Sequence, residues 1–290
     1  MIQVESKPFL KALRQVINAT ARVSSGQRKI LSYIHVRVYE GTMVVEATNA
    51  HILANQTLSA RVSQPDQNHN FMISHKFARQ LSKKLSGHGS HFDIEPLYDK
   101  SNDPDTSWNV IYRDYEHNTY RDKNIEDIKL NYPELVRLIP GDKDTSSLFK
   151  ITRKELLPVV KKAKHNIKDM VTSDLDNSFK DIDIVTLKNI KGVVYLEEFY
   201  HEKDKPRASY RLDTSFASWK NGFEITFNLG FLYSLIKDLP ADSLLTIRLF
   251  DPLRPFTISY SRGEGLICPV RVFDASGNLV RNESNYGSKK

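Results

Sequence analysis

One pattern, met four times along the chain, constrains the fold more than any other feature. A short amphipathic helix of about three turns is entered directly from a strand and followed by a long stretch of two-residue alternation. In residues 6–19 (SKPFLKALRQVINA), Phe9, Leu10, Leu13, Val16 and Ile17 fall on one face, with Ser6 at the N-cap position and Pro8 in the first turn. In 74–86, Phe77, Leu81 and Leu85 recur every four residues behind Ser74, and Gly87 stops the run. In 152–165, Thr152 and Glu155 have capping-box spacing ahead of Leu156, Leu157 and Val160. Pro158 sits inside that pattern, where it removes a helix hydrogen bond. In 228–239, Asn228 precedes Leu229, Leu232, Leu235, Ile236 and Leu239, and Pro240 closes the segment. The stretches between read as antiparallel strands, with hairpin turns at 39–42 and 189–192.

The fold class is therefore α+β, built from helix-plus-meander units taken two at a time. Two such units form a domain over 1–147 and two more form a second over 148–272; the polar connector 140–147 joins them and 273–290 reads as a polar tail. A chain of 290 residues has the length for two domains and buries enough surface to need no staple. Its single cysteine, Cys268, excludes an internal disulfide framework and a cysteine-based zinc site, which fits a reducing compartment. The N-terminus has no continuous apolar h-region and no stretch of about 18 apolar residues occurs. A soluble, cytoplasmic protein is expected.

The net charge of +7 gains meaning from its placement. The four helical segments hold thirteen basic residues against two acids, Glu155 and Asp238, so they carry the whole positive excess and the remainder of the chain is net negative. Solvated helices normally mix signs to gain i,i+4 pairs. A common face carrying Lys7, Lys11, Arg14, Lys76, Arg79, Lys83, Lys84, Lys154, Lys161, Lys162 and Lys164 suits phosphate tracking on duplex DNA without base readout. No aromatic residue is interleaved on those polar faces, so stacking on single strands is not indicated.

Rival chemistries leave fainter marks. His88 and His91 with Asp93 have metal-ligand types but lie on a turn and a strand start rather than one helix face, and read as no metal site. Asp181 and Asp183 share one strand face and would serve a metal-dependent nuclease on duplex DNA; alternating Asp with Ile is the ordinary wet face of an antiparallel strand. The GEG at 263–265 reads as a hairpin turn, and Cys268 as a small apolar residue. No cofactor or catalytic residue is expected.

Several stretches resemble the sliding clamps of DNA replication, in particular the bacterial DNA polymerase III beta subunit. ATNAHILA (47–54) is similar to that family's ATDGHRLA, NYPELVRLIP (131–140) to its domain-closing segment, FNLGFLYSLIKDL (227–239) to its FNxxYLLDxL helix start, and LICPVRV (266–272) to its C-terminal motif. The resemblance implies a DNA clamp fold with the helices lining a ring, a processivity factor rather than an enzyme. Two domains, similar to the family's middle and last, would close a six-domain ring as a homotrimer. It implies a peptide-binding cleft for the replicative polymerase and clamp loader, carried by position onto Leu31, Thr48, His51, Leu53, Pro140, Leu266, Cys268, Pro269 and Val270. It also places the loop 24–29 toward DNA, with Arg28 and Lys29. The chain departs from the family at Asn49, Ala50 and Ile52. Alanine resists the positive φ a turn glycine accepts, so a different loop backbone is expected there. It departs again in the polar insertion at 95–128. A basic DNA-binding protein that never closes is the remaining alternative.

Overall fold

The computed structural model describes residues 1–21, 29–63, 68–84, 91–97, 109–122, 132–173, 183–198, 208–273 and 279–281. The chain divides into two compact units, Met1–Leu138 with Arg262–Glu264, and Ile139–Ser261 with Gly265–Lys290.

In the first unit the order is β1 (Ile2–Glu5), α1 (Ser6–Val16), β2 (Tyr33–Tyr39), β3 (Thr42–Thr48), β4 (Ile52–Val62), β5 (His69–Ser74), α2 (His75–Lys84), β6 (His91–Leu97), β7 (Asn109–Arg113) and β8 (Thr119–Arg121). The two strand–helix–meander halves exchange their first strands. β1 pairs antiparallel with β6, in register Ile2↔Ile94, while β5 pairs with β2, in register Tyr33↔Ser74. Strand order runs β5–β2–β3–β4–β1–β6–β7–β8. Alternation along β2 shows why a two-residue period is legible: Ile34, Val36 and Val38 lie in the core at or below 1% exposure, and Tyr33, His35 and Arg37 take the other face. The helices lay their apolar stripes on this sheet. Phe9 meets Phe92, Phe92 meets Tyr112, and Tyr112 meets Phe77, with ring centroids 6.2, 6.2 and 5.2 Å apart. Each such buried ring contributes about 1.5–3 kcal/mol over an exposed one.

The second unit repeats the plan. It contains β9 (Ser147–Thr152), α3 (Arg153–Ser173), β10 (Ile184–Ile190), β11 (Val193–Glu198), β12 (Ser209–Leu212), β13 (Phe216–Ser218), β14 (Glu224–Asn228), α4 (Leu229–Ile236), β15 (Leu244–Leu249), β16 (Phe256–Tyr260) and, from Gly265 on, β17 (Gly263–Ile267), with a small hairpin of β18 (Val272–Phe273) and β19 (Leu279–Arg281) beyond. Again the halves exchange strands: β9 pairs with β15 and β14 with β10. One sheet is β12–β11–β10–β14 and the other continues β13–β9–β15–β16–β17. Phe227 and Phe256 meet edge to face at 5.0 Å in the core.

Local chemistry explains the helix starts. The Ser74 hydroxyl accepts from Phe77 N–H at 3.2 Å, Thr152 and Glu155 form the reciprocal capping box, and Asn228 Oδ1 accepts from Phe231 N–H at 3.3 Å. Ser6 differs from expectation. Glu5 flanks α1 without a side-chain cap, and Ser6 is the buried first helical residue. The expected hairpins at 39–42 and 189–192 form with two consecutive positive-φ residues, Glu40–Gly41 and Lys191–Gly192. α3 runs 21 residues, well past 165, because Pro158 and Lys154 lie on its exposed side, where water can take the freed carbonyl. GEG at 263–265 is the start of β17 rather than a turn.

Candidate functional site

The turn between β3 and β4 holds itself together. Thr48 Oγ1 accepts from Ala50 N–H at 3.1 Å and donates to Ile52 O at 2.7 Å, while Asn49 Oδ1 accepts from the N–H groups of His51 and Ile52, each at 2.9 Å. This is an Asx-type clamp on the chain. It holds Ala50 at φ +74°, so the backbone keeps the left-handed conformation that alanine is expected to refuse. The His51 side chain is exposed at the tip. Leu53 is buried beneath it, and Leu31 is buried in a cluster with Ala21, Ile30, Tyr33 and Met72, against which Tyr132 packs.

The other five residues of the expected peptide site belong to the second unit. Leu266 is buried, and Pro140, Cys268, Pro269 and Val270 are half-buried. Val270 N–H donates to Thr226 O at 2.8 Å and Pro269 bridges to Phe227, so this segment is laid along β14. Burial pushes the Cys268 thiol up, away from the thiolate a nucleophile needs.

Sequence reading misses a polar cluster on the face of β2 and β3 opposite the core. His35 Nδ1 lies 2.8 Å from Glu46 Oε1, its Nε2 bonds Asn70, and Arg37 reaches both Glu46 oxygens at 3.1 and 3.2 Å. The Tyr132 ring packs against His35, tilted by 31° with centroids 4.7 Å apart. Burial, then the Glu46 charge, pushes the Tyr132 phenol far up, so it stays neutral. Tyr132 thereby ties the segment ahead of residue 138 to the sheet. The available signal is the NYP at 131–133; its partners are distant in sequence.

α1 and α2 pack side by side, and Arg14 donates to Ser82 O at 2.6 Å at the C-terminal end of α2. Lys7, Lys11 and Arg14 on α1, with Lys76, Arg79 and Lys83 on α2, are all exposed, and neither helix contains an acid. Lys29 is exposed; Arg28 and Leu85 lie outside the described residues, as does the Lys84 side chain. In the second unit α3 and α4 pack together, with Arg153 donating to Lys237 O at 2.6 Å. Lys154, Lys161 and Lys162 are exposed there. Lys164 is not a free cation, because it pairs with Asp183 at 2.6 Å. The expected lack of interleaved aromatics also fails in this unit. Lys162 lies over Tyr210 at 5.8 Å, and Lys164 and Lys237 lie over Tyr233 at 5.9 and 5.8 Å. Tyr233 reads in the sequence only as part of an apolar helix, and Tyr210 comes from the distant β12.

Asp183, one of the two candidate nuclease carboxylates, does not lie on a strand. Asp183 precedes β10, sits beside the start of α4 and is bound to Lys164; Asp181 lies outside the described residues. Asp93 accepts from Gln3 at 3.1 Å, and His88 lies outside the described residues. Among the described residues no helix is long and apolar enough to cross a membrane.

Paired halves that exchange strands, two helices to a unit, and an antiparallel meander after each helix are the architecture of the DNA sliding clamps, and the chain has that fold. It is similar to the DNA polymerase sliding clamp of Bacillus subtilis, with a TM-score of 0.74 and 19% identity over 94% of this chain and 64% of that one. It is similar also to the DNA polymerase III beta chain of Streptococcus pneumoniae TIGR4, with a TM-score of 0.72 and 21% identity over 93% and 64%. The beta subunit of Thermotoga maritima matches with a TM-score of 0.68 and 14% identity over 93% and 65%. The chain thus spans less than two thirds of the length of these structures. No family model matches the sequence, and no curated protein matches it.

Proposed function

We propose that the protein is a DNA sliding clamp, a non-catalytic processivity factor that encircles duplex DNA without reading sequence. The observation that carries this is the acid-free helix pair α1–α2, with exposed cations on a fold otherwise known from clamps. Lysines on flexible stems give the weak, interchangeable phosphate contacts that sliding requires, where base-specific contacts would create wells. Its two units correspond to the middle and last domains of the bacterial beta subunit, and three chains close the ring. β8 and β12 are outermost strands of their sheets and carry the same motif, Thr119-Tyr120-Arg121 and Ser209-Tyr210-Arg211. Ring closure gives both open edges a partner.

The turn at Thr48–Leu53 with Leu31, and the segment Leu266–Val270 with Pro140, are the contacts for short peptides of a polymerase and a loader. In the first unit His51 is exposed while Leu31 and Leu53 are buried; in the second Cys268, Pro269 and Val270 are half-buried while Leu266 is buried. Replacing His51 and Val270 together by alanine weakens binding of a Gln/Leu/Phe-containing clamp-binding peptide while assembly is kept. Unchanged affinity would move the peptide contact elsewhere. The deciding experiment is solution mass by light scattering across dilution, together with retention on circular against linear duplex. A mass of about 100 kDa from the 33.4 kDa chain, with loss from the DNA on linearisation, supports the ring. A monomer held equally by both DNA forms replaces it with a basic DNA-binding protein that does not close.

A further inference from the structure

The two helix pairs are not equivalent, and the difference is greatest at their second helices. α2 carries Lys76, Arg79, Lys83 and Lys84 in ten residues, whereas α4 carries no charged residue between Leu229 and Ile236 and instead leaves Phe231 and Tyr233 half-exposed. The first helices differ too. α1 has Lys7, Lys11 and Arg14 at i, i+4 and i+7 with no acid, while the longer α3, with Arg153, Lys154, Lys161, Lys162 and Lys164, has Glu155 beside Lys154 in its first turn. In the second unit three cations are already occupied. Lys164 is neutralised by Asp183, and Lys162 and Lys237 lie over tyrosine rings.

Like charges spaced i,i+3 or i,i+4 repel one another, so the first unit keeps Lys7 near Lys11 and Lys76 near Arg79 at a cost to its own stability. An anionic ligand that covers this face relieves the repulsion. In the second unit Lys162, Lys164 and Lys237 must each leave a tyrosine or a carboxylate to reach a phosphate.

Resting on the clamp reading, we infer that the grip on duplex DNA is divided unequally: the first unit supplies most of the salt-dependent hold, and the second a tyrosine-bearing surface with several cations already engaged that contributes little to it. In a closed ring this makes attraction alternate around the hole, strong at every first unit and weak at every second. Off the ring axis, DNA then sits against the first unit of one chain at a time, and the three equivalent first units exchange it.

The test uses the full chain and a short labelled duplex, with affinity read by anisotropy over a salt series. One variant carries Lys7→Gln, Lys11→Gln, Lys76→Gln and Arg79→Gln; the other carries Lys154→Gln, Lys161→Gln, Lys162→Gln and Lys237→Gln. Four charges are removed in each, and melting temperature and solution mass confirm that each variant folds and assembles as the parent does. The first variant should lose about tenfold or more in affinity at low salt and flatten the slope of log K against log salt by about 0.9 for each phosphate it no longer neutralises. The second should lose less than about threefold, with the slope almost unchanged. Equal losses, or a larger loss in the second, would overturn the unequal division while leaving the clamp reading in place. A parent protein that binds duplex without salt dependence, or not at all, would overturn both.

Discussion

Ala50 shows how a single residue can hold a backbone its own chemistry disfavours. A non-glycine residue in the left-handed region costs about 1–2 kcal/mol, and the Thr48 and Asn49 side chains supply four short hydrogen bonds that offset it. Ala50→Gly should remove that strain at the smaller expense of a more flexible unfolded chain, about 0.5–1 kcal/mol. The net expectation is a first unit more stable by about 0.5–1 kcal/mol, seen as a higher urea midpoint; a lower midpoint would mean that the turn is not strained. Glu46 is the opposite case. It is 2% exposed and serves both His35 and Arg37, so Glu46→Ala strands a buried imidazole and half a guanidinium and should cost about 3 kcal/mol in the same measurement. A change below about 1 kcal/mol would show the cluster to be wet. The turn is legible because Thr-Asn with a following apolar pair is local chemistry. The Glu46 cluster is not, because His35, Glu46, Asn70 and Tyr132 meet only after four segments of the chain are brought together.

At the scale of elements, local rules carry far. Three of the four helix starts are capped by the residue their spacing indicates, and both Gly-containing hairpins form where two positive φ angles are needed. Ser6 fails because α1 begins at Ser6 itself, which leaves Glu5 at the cap position and buries the serine as the first helical residue, an override from packing that propensity cannot register. The end of α3 fails because a proline looks like a break until its exposure is known. The β7–β8 hairpin also depends on one side chain. Asp114 Oδ1 accepts from Glu116 and Asn118 N–H, and Oδ2 from Asn118 Nδ2 and Tyr120 Oη–H. Burial works to raise the Asp114 pKa, and these hydrogen bonds overcome it and hold the carboxyl below its ordinary value. A depressed folded pKa means that the stabilisation is complete above the unfolded value near 4 and is lost as pH falls through the folded one. The Asn118 side-chain amide and the Glu116 amide should therefore shift together in NMR spectra only below about pH 4, and Asp114→Asn should abolish that transition. A transition centred well above pH 4 would assign the titration to another group.

At the scale of the whole molecule, Asp114 matters because the strand it steadies is an open edge. Asp114 N–H donates to Asn118 O, and antiparallel alternation from that bond turns the N–H groups of Thr119 and Arg121 away from β7. Those are the donors that a second copy would use. Tyr120 points inward to Asp114, and Tyr210 on β12 points inward to Glu198 at 2.5 Å, which leaves the flanking Thr119, Arg121, Ser209 and Arg211 outside on both strands. Two edges with the same inward anchor and the same outward residues are suited to meeting each other in a head-to-tail ring, since a heterologous contact needs two different surfaces on one chain. Arg121→Pro removes one outward donor and leaves the β7–β8 ladder intact, as proline is tolerated where an edge N–H faces solvent. Light scattering during size exclusion should then show the chain mass of 33.4 kDa in place of about three times that value. The His51 turn and the exposed lysines of α1 and α2 are unaltered, so peptide binding and salt-dependent affinity for linear duplex should persist, while retention on circular DNA disappears. A trimer that survives Arg121→Pro, with β8 still paired to β7, would place ring closure on a different edge and leave the shared Thr/Ser-Tyr-Arg motif without a part in assembly.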